Sequence, residues 1–371
     1  IDAAMTFARR RDYGEQDLGH YGLGLKAASL SQADVLDVLS RAVGGVPVGR
    51  RIAKDRPTRV ETLDPRQVGE SLAAPLFRIP GASPSHGTVV RWHDVRTALS
   101  SPDPDERAEW LSGCIEEVRA HLGLVFHRIL ERSAVEVSVD EFDLDIGEAG
   151  AMRRVQVLDP LARGVTGVRP IPLDGAVNGR PFELTGVVLT ERALQDPAIL
   201  ASARGSAAAN GQGLYIYRRD RLLQIGGWDS IIREGRDWEY LRISLDIDDA
   251  LLDVVQVNPE KSGVVLDADM RRAVHSAVDR DGRNFADLLD RARSAASEAR
   301  RRTRRPIALV EPGRGLSRQM YGAVADAVEF AEADPVDIRW RRLPGTSLVD
   351  VDVEQRTLWL NDLYRPVLSG S

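Results

Sequence analysis

Gly19-His20-Tyr21-Gly22-Leu23-Gly24 sets three glycines in the order G-x-x-G-x-G and runs directly into Leu25-Lys26-Ala27-Ala28-Ser29-Leu30, a good helix start. No other stretch constrains the chain as much. Glycines here let backbone N–H groups turn towards one point, and the positive end of the following helix adds to that field. The product is a cradle for a polyphosphate or, without a ligand, a plain glycine-rich turn. A side chain at Gly24 is expected to occupy the space phosphates need and to resist the unusual backbone angles expected there. The order is the reverse of the dinucleotide fingerprint, and the acidic residue about twenty positions on that a Rossmann reading needs is missing. No G-x-x-x-x-G-K-[ST] loop occurs either.

Around this run the chain alternates helical and strand periodicities. Residues 1–18 read as a short helix and a polar loop. Val35, Leu36, Val38 and Leu39, a Gly44-Gly45 turn and Val46–Val48 read as a hairpin, with a further strand at Gly87–Trp92. From Asp105 to Arg132, Trp110, Ile115, Val118, Leu122, Val125, Phe126, Ile129 and Leu130 recur at helical spacing, with Asp103 or Asp105 available as a cap. A strand is expected over Val135–Leu144, and the Pro- and Gly-rich stretch Pro160–Gly179 is the best domain boundary. Beyond it, strands are predicted at Phe182–Thr190, Leu214–Tyr217, Leu222–Gln224, Tyr240–Asp246 and Val254–Val257, and helices at Asp267–Asp279 and Asn284–Arg304. After Pro306 come a helix at Gln319–Ala331 and strands at Asp337–Arg341 and Leu348–Leu360.

At 371 residues the chain exceeds what one core usually serves, so two domains and a partial third are expected. No window approaches the roughly 20 apolar residues of a membrane helix. A net charge of −6 argues against an all-round nucleic-acid-binding surface but leaves room for local basic patches. The single cysteine, Cys114, forms no internal disulfide and fits a cytoplasmic protein. Among 50 Lys and Arg only Lys26, Lys54 and Lys261 are lysine, so each departs from the chain's own habit. The sequence opens at Ile1 without a signal-peptide pattern, and it is expected to begin in mid-protein.

The string Asp17–Arg41 resembles the second glycine box of the GHKL superfamily, the ATPases that include gyrase B, MutL and MORC, and is most similar to the MORC-like branch. The resemblance implies that Gly22, Gly24, Leu25 and Lys26 contact the triphosphate, with Gly19, His20 and Tyr21 in the adjoining lid, and Leu23 is counted with them as nucleotide-binding. Gly87-Thr88-Val89-Val90 is similar to the family's G-T-x-V strand, which makes Thr88 a candidate on the adenine side. Gln256-Val257-Asn258-Pro259-Glu260-Lys261 resembles the transducer loop that sends a lysine to the γ-phosphate, so Lys261 is the candidate catalytic cation. Gly213–Leu223 looks like the hairpin of the same transducer domain. Together these resemblances cover about residues 5–265.

The fold class so implied is α/β (α+β): a Bergerat-type ATP-binding sandwich, incomplete at its N-terminus (1–160), a transducer domain (161–305) and the start of a further α/β region (306–371). The cofactors implied are ATP and Mg²⁺. The family's water-activating Glu, its Mg²⁺-ligating Asn and its adenine-reading Asp precede the glycine box, so the Mg²⁺ ligand is expected upstream of Ile1 and no base is assigned here. The implied function is an ATP-dependent clamp, a homodimer through its ATP-binding domain, acting on DNA in topology, repair, silencing or defence. The alternatives are a protein-remodelling chaperone of the heat-shock class, which uses arginine where Lys261 stands, and a non-catalytic ATP-binding scaffold. This chain alone is expected to be inactive.

Other constellations point nowhere further. His20, His86, His93, His121, His127 and His275 show no zinc spacing, and no G-x-S-x-G elbow occurs. The arginines at 300–302 and 304–305 suit a helix C-terminus, with a DNA-phosphate contact as the alternative. Asp246, Asp248, Asp249 and Asp253 read as surface.

Overall fold

The computed structural model describes residues 1–5, 24–74, 86–132, 135–257, 263–303, 308–309, 335–344, 347–352 and 357–365. α1 (Asp2–Met5) and α2 (Gly24–Gln32) come first, and α2 passes without a loop into β1 (Ala33–Arg41). The predicted hairpin follows, with Gly44 at φ +66° in its turn and β2 (Val48–Ala53) antiparallel to β1. β3 (Glu61–Leu63), α3 (Pro65–Ala73) and β4 (Gly87–Val95) complete an antiparallel sheet of order β3-β2-β1-β4. Alternation along β1 divides its faces. Leu36 and Val38 join Ile52, Met5, Leu30 and Ile1 in an inner core, and Asp37 and Leu39 are buried on the outer side. α3 starts where the Asp64 carboxylate accepts the Arg66 and Gln67 N–H groups ahead of Pro65 at the first helical position.

The helix expected over Asp105–Arg132 is two. α4 (Pro104–Val125), capped by Asp103, ends where Phe126 leaves helical angles at φ −109°, ψ 16°, and α5 (His127–Glu131) resumes. The strand expected over Val135–Leu144 is also broken. It gives β5 (Ser138–Val139) and β6 (Phe142–Asp143), which pair with β8 (Arg153–Arg154) and β7 (Glu148–Ala149). β6 ends at Asp143, whose carboxylate accepts the Asp145 and Ile146 N–H groups and starts a turn.

A five-stranded sheet follows. β9 (Pro170–Val177) and β10 (Arg180–Val188) precede α6 (Pro197–Arg204), then come β11 (Gly213–Arg218), β12 (Arg221–Ile225) and β13 (Leu241–Asp246). The order is β12-β11-β13-β10-β9, with β11 parallel to β13 and the other pairs antiparallel. β9 lies within the stretch read as a boundary. It is an edge strand, where Pro170 and Pro172 sacrifice no central ladder bond. β14 (Val255–Val257) and β15 (Val264–Leu266) form a separate two-stranded hairpin before α7 (Ala268–Ser276) and α8 (Phe285–Thr303). One face of the large sheet buries Leu184, Leu214, Ile216, Leu241, Ile243 and Leu245 in a core with Met270, Val274, Phe285, Leu288 and Ala292. Tyr215, Tyr217, Arg242 and Ser244 are buried on the other face.

Ile1–Ala296 form one compact unit and Ser297–Ser371 a second, so the division expected near residue 160 falls inside the first. In the second unit β16 (Ala308–Leu309), β17 (Pro335–Arg341), β18 (Val349–Asp352) and β19 (Thr357–Asn361) form a mixed sheet of order β16-β17-β19-β18. The single strand read over Leu348–Leu360 is thus β18 and β19. The helix read at Gln319–Ala331 lies outside the described residues.

Candidate functional site

The inner face of the first sheet gathers the described part of the predicted phosphate site. Gly24 opens α2, and its φ lies outside the left-handed range, so the unusual backbone angles expected there are not adopted. The reason is local: Gly24 is already helical. A Cβ built on it meets nothing within 4 Å among the described residues. Leu25 is half-exposed. Lys26 is buried, and its Nζ donates to the Ala4 carbonyl at 2.8 Å, so desolvation pushes its pKa down. Gly19, His20, Tyr21, Gly22 and Leu23 lie outside the described residues.

An ion pair and a hydroxyl pair lie on this face of the sheet. Asp2 of α1 pairs with Arg50 at 2.5 Å, and Arg50 stands opposite Val38. Two residues further along the same face, Ser40 and Thr88 share a hydrogen bond of 2.8 Å, and the Ser40 hydroxyl donates to the Gly87 carbonyl. Lys26 thus ties the first turn of α2 to α1. Thr88 is exposed, as are Val90 and Trp92 beyond it on edge strand β4.

The outer face carries a cluster that sequence reasoning missed. Arg51 reaches Asp37 with two hydrogen bonds, at 2.7 and 2.8 Å, and His93 Nε2 lies 2.9 Å from Oδ2 of the same carboxylate. Burial alone pushes the Asp37 carboxyl up, but the Arg51 and His93 contacts outweigh it and hold it below the usual carboxylate range. The signal was available: an aspartate inside an apolar strand, with arginines facing it at 51 and 91 in the register.

The third site is the hairpin of β14 and β15. Val257 and Gly263 flank its loop, and Lys261, with Asn258, Pro259 and Glu260, lies outside the described residues. A cavity of about 720 Å³ is lined by His121 of α4, Arg221 and Gln224 of β12, Asp229, Gly263 and Val264. On the large sheet, α5 is joined to β11. His127, fully buried, places Nε2 3.0 Å from the Tyr217 hydroxyl, and the Arg128 guanidinium lies 3.5 Å from the centre of the Tyr217 ring. Burial drives the His127 pKa down to about 4, with Asp159 opposing and Arg128 and Arg163 adding to the shift. The tip of the β11–β12 hairpin, Arg219 and Asp220, holds φ +51° and +62°. Arg132 pairs with Asp220, and Arg218 and Arg219 both pair with Asp249.

The fold is of the mixed α+β class, and no described helix is long and apolar enough to cross a membrane. Among the described residues no group of three or more His, Cys, Asp or Glu is placed to hold a metal ion. Comparison with known proteins gives no matching family model and no matching curated sequence.

Proposed function

We propose that the chain is part of an ATP-binding conformational clamp of the GHKL type that acts on DNA as a homodimer. The observation that supports the reading is a glycine-led N-terminus on α2, a helix that packs through Leu30 on the sheet face bearing the Ser40–Thr88 hydroxyl pair. A helix N-terminus where an added Cβ meets nothing within 4 Å among the described residues suits a phosphate, and the hydroxyl pair suits the polar edge of a base. Lys26 joins the phosphates only by giving up its bond to Ala4. The Gly213–Leu223 run forms the β11–β12 hairpin, and the Q-V-N-P-E-K run begins on β14, the strand that leads to Lys261.

In this reading Lys261 neutralises charge developing on the γ-phosphoryl group and reports whether that group is present. Mg²⁺ would supply positive charge to offset that of the phosphates; no residue of 1–371 is assigned to hold it or to activate water. The same chemistry without hydrolysis is a scaffold, a second reading favoured by the engagement of Lys26 with Ala4.

The test uses the natural polypeptide that carries these residues. A non-hydrolysable ATP analogue with Mg²⁺ at about 100 times its dissociation constant should stabilise the fold by roughly 2.7 kcal/mol. Lys261→Ala should leave ADP affinity unchanged and slow turnover by roughly 100- to 1,000-fold. Stabilisation without turnover selects the scaffold. Hydrolysis at the parent rate in Lys261→Ala removes the transducer assignment.

A further inference from the structure

α4 packs against α6, and a cleft of about 740 Å³ lies between them. Val118 and Leu122 of α4, Ala201 of α6 and Ile225 of β12 give it apolar walls. Its volume is within the range of about 300–1,000 Å³ that small-molecule sites occupy. Two charges stand in these walls without a partner. Glu117 comes from α4 and Arg204 from the last turn of α6, and among the described residues neither makes a hydrogen bond or an ion pair, not even with the other. Neighbouring charges are paired. Glu116, which lines the same cleft, is held by Arg119 and Arg153, and Arg128, Arg132, Arg218 and Arg219 all meet carboxylates. An apolar cleft with a free anion on one wall and a free cation on the other matches a ligand with an apolar body and one charge of each sign. Such a ligand has no internal ion pair to displace.

We infer that this cleft binds a short apolar peptide with free termini, its ammonium towards Glu117 and its carboxylate towards Arg204. The length follows from the spacing of the walls. Packed helices stand roughly 8–10 Å apart, and an extended residue spans at most about 3.3–3.6 Å, so two or three residues bridge them. In a free amino acid both charged groups hang from one carbon and cannot span the cleft. His121, one turn beyond Glu117 on α4, offers a ring nitrogen to the peptide backbone. None of these residues belongs to the proposed nucleotide site, so the inference is independent of that reading.

The test is titration calorimetry on the natural polypeptide with the dipeptide leucyl-leucine as probe. Saturable binding with a dissociation constant of about 1 mM or tighter is expected. Its N-acetyl form, its C-terminal amide and free leucine should each bind about three- to tenfold more weakly. Glu117 and Arg204 are exposed, so replacing them leaves the fold intact, as urea unfolding of each variant will report. Glu117→Gln should weaken the free dipeptide by about three- to tenfold and leave the N-acetyl form unchanged. Arg204→Gln should weaken it as much and leave the amide unchanged. Val118→Trp, at a half-exposed position, should fill the cleft and abolish binding. Absence of saturable binding up to about 10 mM overturns the proposal, as does parent-like affinity in any of the three variants. Leucine bound as tightly as the dipeptide overturns the assignment to a peptide.

Discussion

Gly24 separates the two meanings a glycine can have. Its helical backbone, with nothing within 4 Å of an added Cβ among the described residues, makes no demand for glycine there. Gly24→Val should therefore change unfolding stability by no more than about 0.5 kcal/mol while abolishing nucleotide binding, checked by urea unfolding and calorimetry on the same preparation. Normal ATP affinity in the folded variant would reduce the glycine run to a turn. Lys26 was legible as an unusual residue but not as a buried one, because its acceptor is a backbone carbonyl and carbonyls leave no mark in a sequence. At His127 the outcome depends on pH. The unfolded chain takes up a proton near pH 6.5, whereas the folded ring resists until about pH 4. Its contribution is complete above about pH 6.5 and is lost as pH falls towards 4, in total roughly 3 kcal/mol. Urea midpoints across that range should fall with acid in the parent, and His127→Gln should flatten that part of the slope.

Whole elements were more legible than single contacts. Asp103 as the cap of α4 and the strands β10 to β14 follow from short-range signals: a carboxylate before a helical apolar period, and β-rich runs between turns. α3 and α6 went unread. Each is short and begins with proline after an aspartate, a start signal whose apolar period is too brief to stand out. The break at Phe126 was equally invisible, since the apolar period continues through it. α4 also makes a close approach that only three dimensions show. The Gly123 carbonyl accepts the Leu158 N–H at 3.1 Å, and a Cβ on Gly123 would stand 2.4 Å from the Gln156 carbonyl oxygen. Backbone cannot yield there as a side chain would. Gly123→Ala should cost roughly 1–3 kcal/mol despite the better helix propensity of alanine, measurable by thermal or urea unfolding. A neutral effect would show that α4 shifts freely against residues 156–158.

For the molecule as a whole, the first compact unit draws part of its core from near its end, through Phe285, Leu288 and Ala292 on α8. A chain of residues 1–303 should therefore unfold in one cooperative transition, and one ending at 284 should lose it, as followed by circular dichroism in urea. The contact of His127 with Tyr217 spans 90 residues, and Tyr217 sits in a strand whose parallel neighbour, β13, comes later still. Loop length itself adds little, only about 0.6 kcal/mol for each doubling. Timing is another matter. At roughly 5–20 residues per second on the ribosome, α5 waits several seconds for its partner strand, with the histidine that will be sealed in the interior still facing water. Until β13 has emerged, the nascent chain carries a helix without its floor, and anything that slows synthesis between residues 132 and 246 lengthens that exposure.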